Sequence, residues 1–359
     1  MQALVATAKG LLTFKITPKK EPKIEEVHFA GFTVNMIYVD ERTNRWWAGV
    51  AHKHWGQKLH FSDDKGESWQ EALVPSFRGV QLPDGKNAKL RQIWCMKHGG
   101  EDKPGHLWLG TDPGGLFHSV DNGHSFQLVE SLWNHPSRKK EGQWFGAGSD
   151  YPFIHSIVVD NQDSDHVYVA VSCAGVFETK DYGKTWIPKN KGLKATYLPN
   201  SNVEVGHDPH CLLSYEKDPK ILWQQNHCGI FYSLNGGDNW VDVSVQNGIP
   251  NYGFSIAIDE NDPSKAWVIP VESDEKRIAP DLSLKVFKTT NFGKTWASES
   301  EGLPKEFAFD IVLRQAFTKK KNVFLFGTTN GNLYYSFGDK ISWKEISHHL
   351  TKVNSVYLY

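Results

Sequence analysis

The sequence predicts an all-β fold, a seven-bladed β-propeller in one domain spanning residues 1–359, on three observations. An eight-residue motif, Ser/Thr-x-Asp-x-Gly-x-Thr/Ser-Trp/Phe with close variants, recurs along the chain. Its copies begin at Ser62, Ser119, Thr179, Ser233 and Thr289, with a worn sixth at Ser336, at intervals of 57, 60, 54, 56 and 47 residues. A period that long, with strand-like segments between copies, belongs to propeller blades. Each interval also repeats one four-strand grammar, and the two chain ends read as the halves of one further blade.

Within the motif each residue has a mechanical role. Asp or Asn at the third position accepts from backbone N–H groups ahead of it, as an Asx-turn does. Gly66, Gly123, Gly183, Gly237 and Gly293 fall where the turn needs a positive φ. The hydroxyl residues close the hairpin through side-chain-to-backbone bonds. The closing aromatic, Trp69 or Trp186 for example, opens the next strand and fills space between sheets.

Between motifs, the third interval is representative. Residues 154–160 read as strand A, 166–171 as strand B and 176–179 as strand C, and Trp186 opens strand D. The polar link at 160–165 is an A–B turn, and its equivalents lie at 40–44, 99–105, 216–220, 259–264 and 318–322. Six blades follow. For the seventh, residues 4–14 match strands B and C, 24–29 supply strand D, and 353–359 supply strand A from the other terminus. Joining the termini in one blade leaves no long exposed sheet edge.

Aromatic residues make up 13% of the chain, with 14 Trp, a composition suited to sheet-on-sheet packing between blades. The formal net charge of −1 offers no broad field for nucleic acid or an anionic membrane, so neither is an expected partner. No apolar run approaches 18 residues, and residues 1–16 lack a basic segment followed by an apolar core. Cys95, Cys173, Cys211 and Cys228 show neither zinc-finger spacing nor a disulfide framework and read as buried thiols. A reducing cytoplasm is the expected location.

Strands alternate in direction, so A–B and C–D turns share one face while B–C and D–A loops share the other. The repeated motif forms the C–D turns. A ligand site is therefore expected among the B–C and D–A loops, where concave surfaces gather several segments. The D–A loops at 75–90, 131–152 and 188–209 are long, those at 246–253 and 347–352 are short, and the B–C loop at 271–285 is extended. Long ordered loops in compact domains are usually functional. Aligning the blades puts Asn35, Gln92, His155, His210, Phe254, Asp310 and Asn354 at the entrance of the central channel.

Histidines concentrate on that face: His52, His54, His155, His207, His210 and His227, with Asp112, Asp150, Glu204, Asp208, Glu272 and Asp274 nearby. His52, His54, His155, His210 and His227 are candidate ligands of Zn²⁺, Mn²⁺ or Fe²⁺, the one cofactor these residues suggest. The same imidazoles suit acid–base work near neutral pH or the orientation of a sugar.

The motif resembles the Asp-box, or BNR repeat, of sialidases, sortilin-type receptors and related propellers. In that group it is a folding device on the blade periphery, which implies that its aspartates are structural. Further stretches are similar to a bacterial group of BNR-repeat proteins described as sialidase-like or as glycosyl hydrolases. They are His54-Trp55-Gly56, Gly114-Gly115-Leu116-Phe117, the run from Leu132 to Arg138, the run from Gln224 to Gly229, and the run from Val271 to Glu275. The resemblance covers essentially the whole chain and implies carbohydrate as the ligand class. A sialidase needs three arginines on the substrate carboxylate, a Tyr/Glu nucleophile pair and an Asp acid. The seven arginines here, Arg42, Arg45, Arg78, Arg91, Arg138, Arg277 and Arg314, do not supply that clamp on the expected face, so sialidase activity is not expected.

Another glycosidase would draw its carboxylate pair from opposite walls. Glu272 or Asp274 facing Asp150, Glu204 or Asp208 is the expected pairing, with His155 and His210 as further catalytic candidates. Trp55, Trp133, Trp144 and Tyr151 offer stacking faces, and Asn35, His54, Gln92, Asp112, Arg138, His227 and Asn354 are candidate ligand-binding residues. Three readings follow from the sequence: a glycoside hydrolase or carbohydrate-binding protein, a metal-dependent hydrolase or lyase with a histidine-lined site, and a non-enzymatic interaction scaffold.

Overall fold

The computed structural model describes every residue except 19, 141, 247 and 339. Its strands form seven four-stranded antiparallel sheets, and the fold is a seven-bladed β-propeller. The chain falls into two compact units. Met1–Val34 with Leu213–Tyr359 forms one, here the split unit, and Asn35–Leu212 forms the other, here the central unit.

In the split unit, Val353–Leu358 pairs with Gln2–Thr7, which pairs with Gly10–Lys15 and then Ile24–His28. Val5 lies opposite Val356 and Leu4 opposite Tyr357, so the termini meet in one sheet as expected. Two further blades of this unit begin at Gly253–Ile258 and Phe317–Lys320. Its core gathers Phe14, Trp267, Phe324, Phe326 and Trp343, all buried. In the central unit, the sheets built on Gln92–His98 and Ile154–Val159 carry a core of Trp108, Ile154, Val169, Phe177 and Trp186. Burying one such side chain contributes about 1.5–3 kcal/mol, so these clusters hold each unit together.

The eight-residue motif folds identically in five copies. Ser62 Oγ accepts from Gly66 N at 2.7 Å and donates to Asp64 Oδ1 at 2.7 Å, and Asp64 Oδ1 accepts from Ser68 N at 2.9 Å. The same three bonds recur around Asp121, Asp181, Asn235 and Asn291. Gly123 takes φ +82°, and a Cβ there would collide with the buried Trp47 ring, so steric room as well as torsion requires glycine. In the sixth copy Asp339 lies outside the described residues, and Ser342 N donates to Ser336 Oγ at 3.0 Å.

Several expectations change in detail. Only Cys173 of the four cysteines is buried; Cys95, Cys211 and Cys228 are half-buried, and none joins a disulfide among the described residues. The loop at 131–152 contains two short helices, Glu130–Trp133 and Pro136–Lys139. Asp310 precedes its strand, Phe317–Lys320, in an irregular stretch. There Thr329 substitutes for a ladder partner: its N–H donates to Ile311 O at 3.0 Å. Among the described residues no helix is long and apolar enough to cross a membrane.

Candidate functional site

In the central unit, the strand Leu107–Asp112 ends in a turn through Gly114 and Gly115. That turn is where loops 73–91 and 129–153 meet. Gly114 N donates to Pro152 O at 2.6 Å, and a Cβ on Gly115 would stand 2.6 Å from the Phe77 ring. Glycine is thus what lets both loops close onto the strand end.

Asp112, only 6% exposed, sits at the centre of this junction. Its Oδ2 accepts from Ser149 Oγ at 2.6 Å, while Oδ1 is buried without a hydrogen bond and lies 4.0 Å from Arg91 Nε. The other end of the guanidinium serves Asp150: Arg91 Nη1 donates to Asp150 Oδ2 at 2.5 Å. Burial pushes the Asp112 carboxyl above the usual range; Ser149 and Arg91 oppose the shift and the charge of Asp150 adds to it. The Arg91 cation lies 5.6 Å from the Tyr151 ring, and Tyr151 donates to Asp84 at 3.4 Å. One guanidinium therefore stands between a buried carboxyl, 4.0 Å from its Nε, and an exposed carboxylate, 2.5 Å from its Nη1.

The next turn, at Ser172 and Cys173, holds a second group. Asp208 Oδ1 accepts from Ser172 Oγ at 2.8 Å and from Cys173 N at 3.1 Å, and its Oδ2 lies 3.3 Å from His210 Nε2. Both Asp208 and His210 are buried. His155 is occupied otherwise. Its Nε2 donates to Pro209 O at 2.7 Å, a tautomer that leaves Nδ1 to accept from Ser156 Oγ at 2.9 Å. It ties neighbouring strands. His207 likewise bonds Val203 O at 2.7 Å.

Arg138 is buried between Trp133 and Trp144, 3.8 and 4.8 Å from the two rings, and donates to Gly114 O at 2.7 Å. Trp144 Nε1 donates to Ser137 Oγ at 2.9 Å. Both side chains thus brace the loop. Trp55, 79% exposed, and His54, exposed, lie on the turn after Arg45–His52, and half-buried His52 ends that strand. Asn35 donates to Gln57 at 3.3 Å, and Gln92 pairs in register with Asp112.

In the split unit, His227 Nε2 lies 3.5 Å from Asp274 Oδ2, with the Tyr252 ring edge-on to the imidazole. Glu272 is exposed, and its backbone N–H closes a tight turn onto Ile278 O at 2.9 Å. Asn354 donates to Val34 O at 2.9 Å. A long loop at 299–316 escaped the sequence reading. It packs on the extended segment after Ala266–Pro270 through Leu284 N to Pro304 O and Ala308 N to Leu282 O, and it exposes Phe307 and Phe309.

Of the sequence-predicted residues, the structure brings together Asp112 with Asp150, Asp208 with His210, and His227 with Asp274. It commits His155, Arg138, Trp144 and Asn354 to structural bonds. Sequence reasoning missed Arg91 and Ser149 as site residues. Their signal was position alone, one immediately before a strand start and the other beside Asp150.

No protein-family model matches the sequence, and no curated protein matches it. Solved structures do share the fold. The GH74 enzyme of Niastella koreensis is 14% identical over 95% of this chain and 51% of its own, with a TM-score of 0.61. An ancestral GH74 enzyme is 16% identical over 87% of this chain and 38% of its own, with a TM-score of 0.56. YCF48 bound to D1 peptide is 12% identical over 94% and 89%, with a TM-score of 0.53. The chain spans about half or less of the length of the two GH74 enzymes. At these identities the likeness is one of fold.

Proposed function

We propose that this protein is a carbohydrate-active Asp-box propeller, a glycoside hydrolase whose site lies where loops 73–91 and 129–153 meet in the central unit. The observation that carries this is the environment of Asp112. Its buried carboxyl has a raised pKa and one oxygen without a hydrogen bond, the state required of a general acid. Asp150, exposed and paired with Arg91 at 2.5 Å, is the complementary carboxylate. Tyr151 offers an aromatic face beside them. A sialidase is not proposed, since Arg91 is the one arginine contacting this carboxyl pair among the described residues. The four thiols fit the reducing cytoplasm.

The test is a panel of glycosides and oligosaccharides assayed for reducing-end release and for binding, with Asp112→Asn and Asp150→Asn beside the parent. Turnover should fall by about 10²-fold or more in Asp112→Asn with folding intact. Binding without cleavage, lost in Asp150→Asn, would make the protein a carbohydrate-binding propeller. If no glycan is bound or cleaved, or if both variants keep full activity, the reading is wrong.

A second reading, a metal-dependent hydrolase or lyase, rests on Asp208 and His210. The carboxylate is oriented by two donors and turns its other oxygen toward the imidazole. Elemental mass spectrometry of purified protein, beside His210→Ala, decides it. Near-stoichiometric divalent metal lost in the variant would favour this reading, and metal-free protein would remove it.

A further inference from the structure

Residues 74–90 form a loop whose two arms enclose an open groove of about 520 Å³, lined by Val74, Pro75, Phe77, Arg78, Lys89 and Leu90 among others. Its floor is rigid. Phe77 is buried, packing edge-on against Phe117 at 5.0 Å and tilted against Trp133 at 5.2 Å. The arms are cross-tied by Ala88 N to Val80 O and Leu82 N to Lys86 O, at 2.9 and 2.8 Å.

The charge of this loop departs from that of the chain. Arg78, Lys86 and Lys89 stand against a single acid, Asp84, in a protein of formal net charge −1, and Arg91 follows immediately. Lys86 pairs with Asp84 at 2.9 Å and Arg91 with Asp150. Arg78 and Lys89 pair with nothing among the described residues, and both line the groove.

The other six arginines show how unusual Arg78 is. Arg42 is bound to Asp40, Arg45 to Asp63, Arg91 to Asp150 and Arg138 to Gly114 O. Arg277 donates to Asp274 O, and Arg314 lies over the Phe254 ring. Among the described residues Arg78 alone presents a guanidinium with no hydrogen bond, ion pair or ring contact. A planar fork of donors suits a carboxylate or sulfate oxygen pair, and the neighbouring ammonium adds a second positive charge.

We infer that this groove is a subsite for an anionic sugar unit, so that the substrate is a carboxylated or sulfated glycan. The inference rests on the carbohydrate reading above and deepens it. The C-terminal arm of the groove runs directly into Arg91, and Tyr151 bonds Asp84 at the loop tip, so one chain segment links the subsite to Asp112 and Asp150. The anionic group docks on Arg78 and Lys89 while the bond to be cleaved lies at the carboxyl pair.

The experiment compares three probes by calorimetry and turnover: oligogalacturonides, a sulfated galacto-oligosaccharide and neutral cello-oligosaccharides. Each is tested on the parent chain, on Arg78→Ala/Lys89→Ala and on Arg78→Lys. The inference expects one anionic class to bind at least about tenfold more tightly than the neutral series, with the preference lost in the double variant. Carboxylate and sulfate are told apart by which anionic series is preferred. Partial retention in Arg78→Lys is expected if a point charge replaces part of the fork. Both residues are exposed, and an unchanged melting temperature checks the fold. Equal recognition of neutral and anionic glycans, with turnover still lost in Asp112→Asn, overturns the anionic subsite and leaves the carbohydrate reading standing. Failure of every glycan overturns both.

Discussion

Ser149 donates to Asp112 at 2.6 Å, and it is the one hydrogen bond the buried Asp112 side chain makes among the described residues. A single neutral donor stabilises an ionised carboxylate far less than the two or three backbone N–H bonds that hold a carboxylate strongly acidic. Burial therefore dominates, and the carboxyl is held toward its neutral form.

This fixes the sign of a first prediction. A carboxyl whose folded pKa is raised contributes stability below its unfolded value, near 3.8, and loses it as pH rises through the folded value. At pH 7 the native state carries that cost. Asp112→Asn should therefore melt at the same temperature as the parent or higher at pH 7, with the advantage vanishing at pH 3, while activity falls. Thermal melts across pH check it, and a lower melting temperature at pH 7 would contradict the raised pKa.

A second prediction concerns Glu178, a buried carboxylate on the strand Gly175–Thr179. Burial alone would raise its pKa, but His166 at 2.8 Å and Lys189 at 3.0 Å reverse this and bring it to about 2. His166, desolvated yet bonded to both Glu178 and Asp160, is raised above 6.5. The depressed acid stabilises the fold above pH 4.5 and fails as pH falls toward 2. The raised histidine stabilises it below 6.5 and fails as pH climbs through its folded value. Stability should plateau between these limits. Glu178→Gln should cost about 3 kcal/mol by removing the buried carboxylate that His166 and Lys189 share, and should remove the Glu178 contribution to the acid limb in urea titrations at several pH values.

The motif turns supply a third. Thr179→Val keeps the side-chain shape but strands the buried Gly183 N–H, which donates to Thr179 Oγ1 at 2.9 Å, at a cost of about 1–3 kcal/mol. Gly123→Ala adds backbone strain to a collision with Trp47 and should cost about 3 kcal/mol or more. Chemical denaturation ranks the two. A Gly123→Ala protein as stable as the parent would refute the steric argument.

A fourth tests the strand that joins the termini. Val356 faces Val5, and its N–H donates to Gln315 O at 2.8 Å. Val356→Pro removes that donor and should destabilise by about 3 kcal/mol. Hydrogen exchange should show lost protection in Gln2–Thr7, the strand it pairs with. Unchanged protection there would mean that the pairing contributes little.

The sequence by itself determined the blade. Gly123 and Gly183 follow Asp121 and Asp181 by two residues, and those local spacings dictate a hairpin wherever they occur, because the bonds that close it lie within one motif. The repeat interval then gave the sheet count, and the resemblance of residues 4–14 and 353–359 to parts of a blade gave the shared sheet at the termini. The site was only partly legible. Asp112 and Asp150 were recognisable as carboxyls on the loop face, but their coupling depends on Arg91, and Ser149 bonds Asp112 from 37 positions along the chain. His155 looked like a ligand by composition and became a strand tie once Pro209 O and Ser156 met its ring. Arg138 looked like a contact for ligand and was enclosed by Trp133 and Trp144. Burial and partner geometry, which set a carboxyl's pKa and decide whether an arginine is satisfied, arise from distant segments packed together. Only the tertiary structure could bury Asp112 and raise its pKa, and leave Arg78 as the unmatched cation.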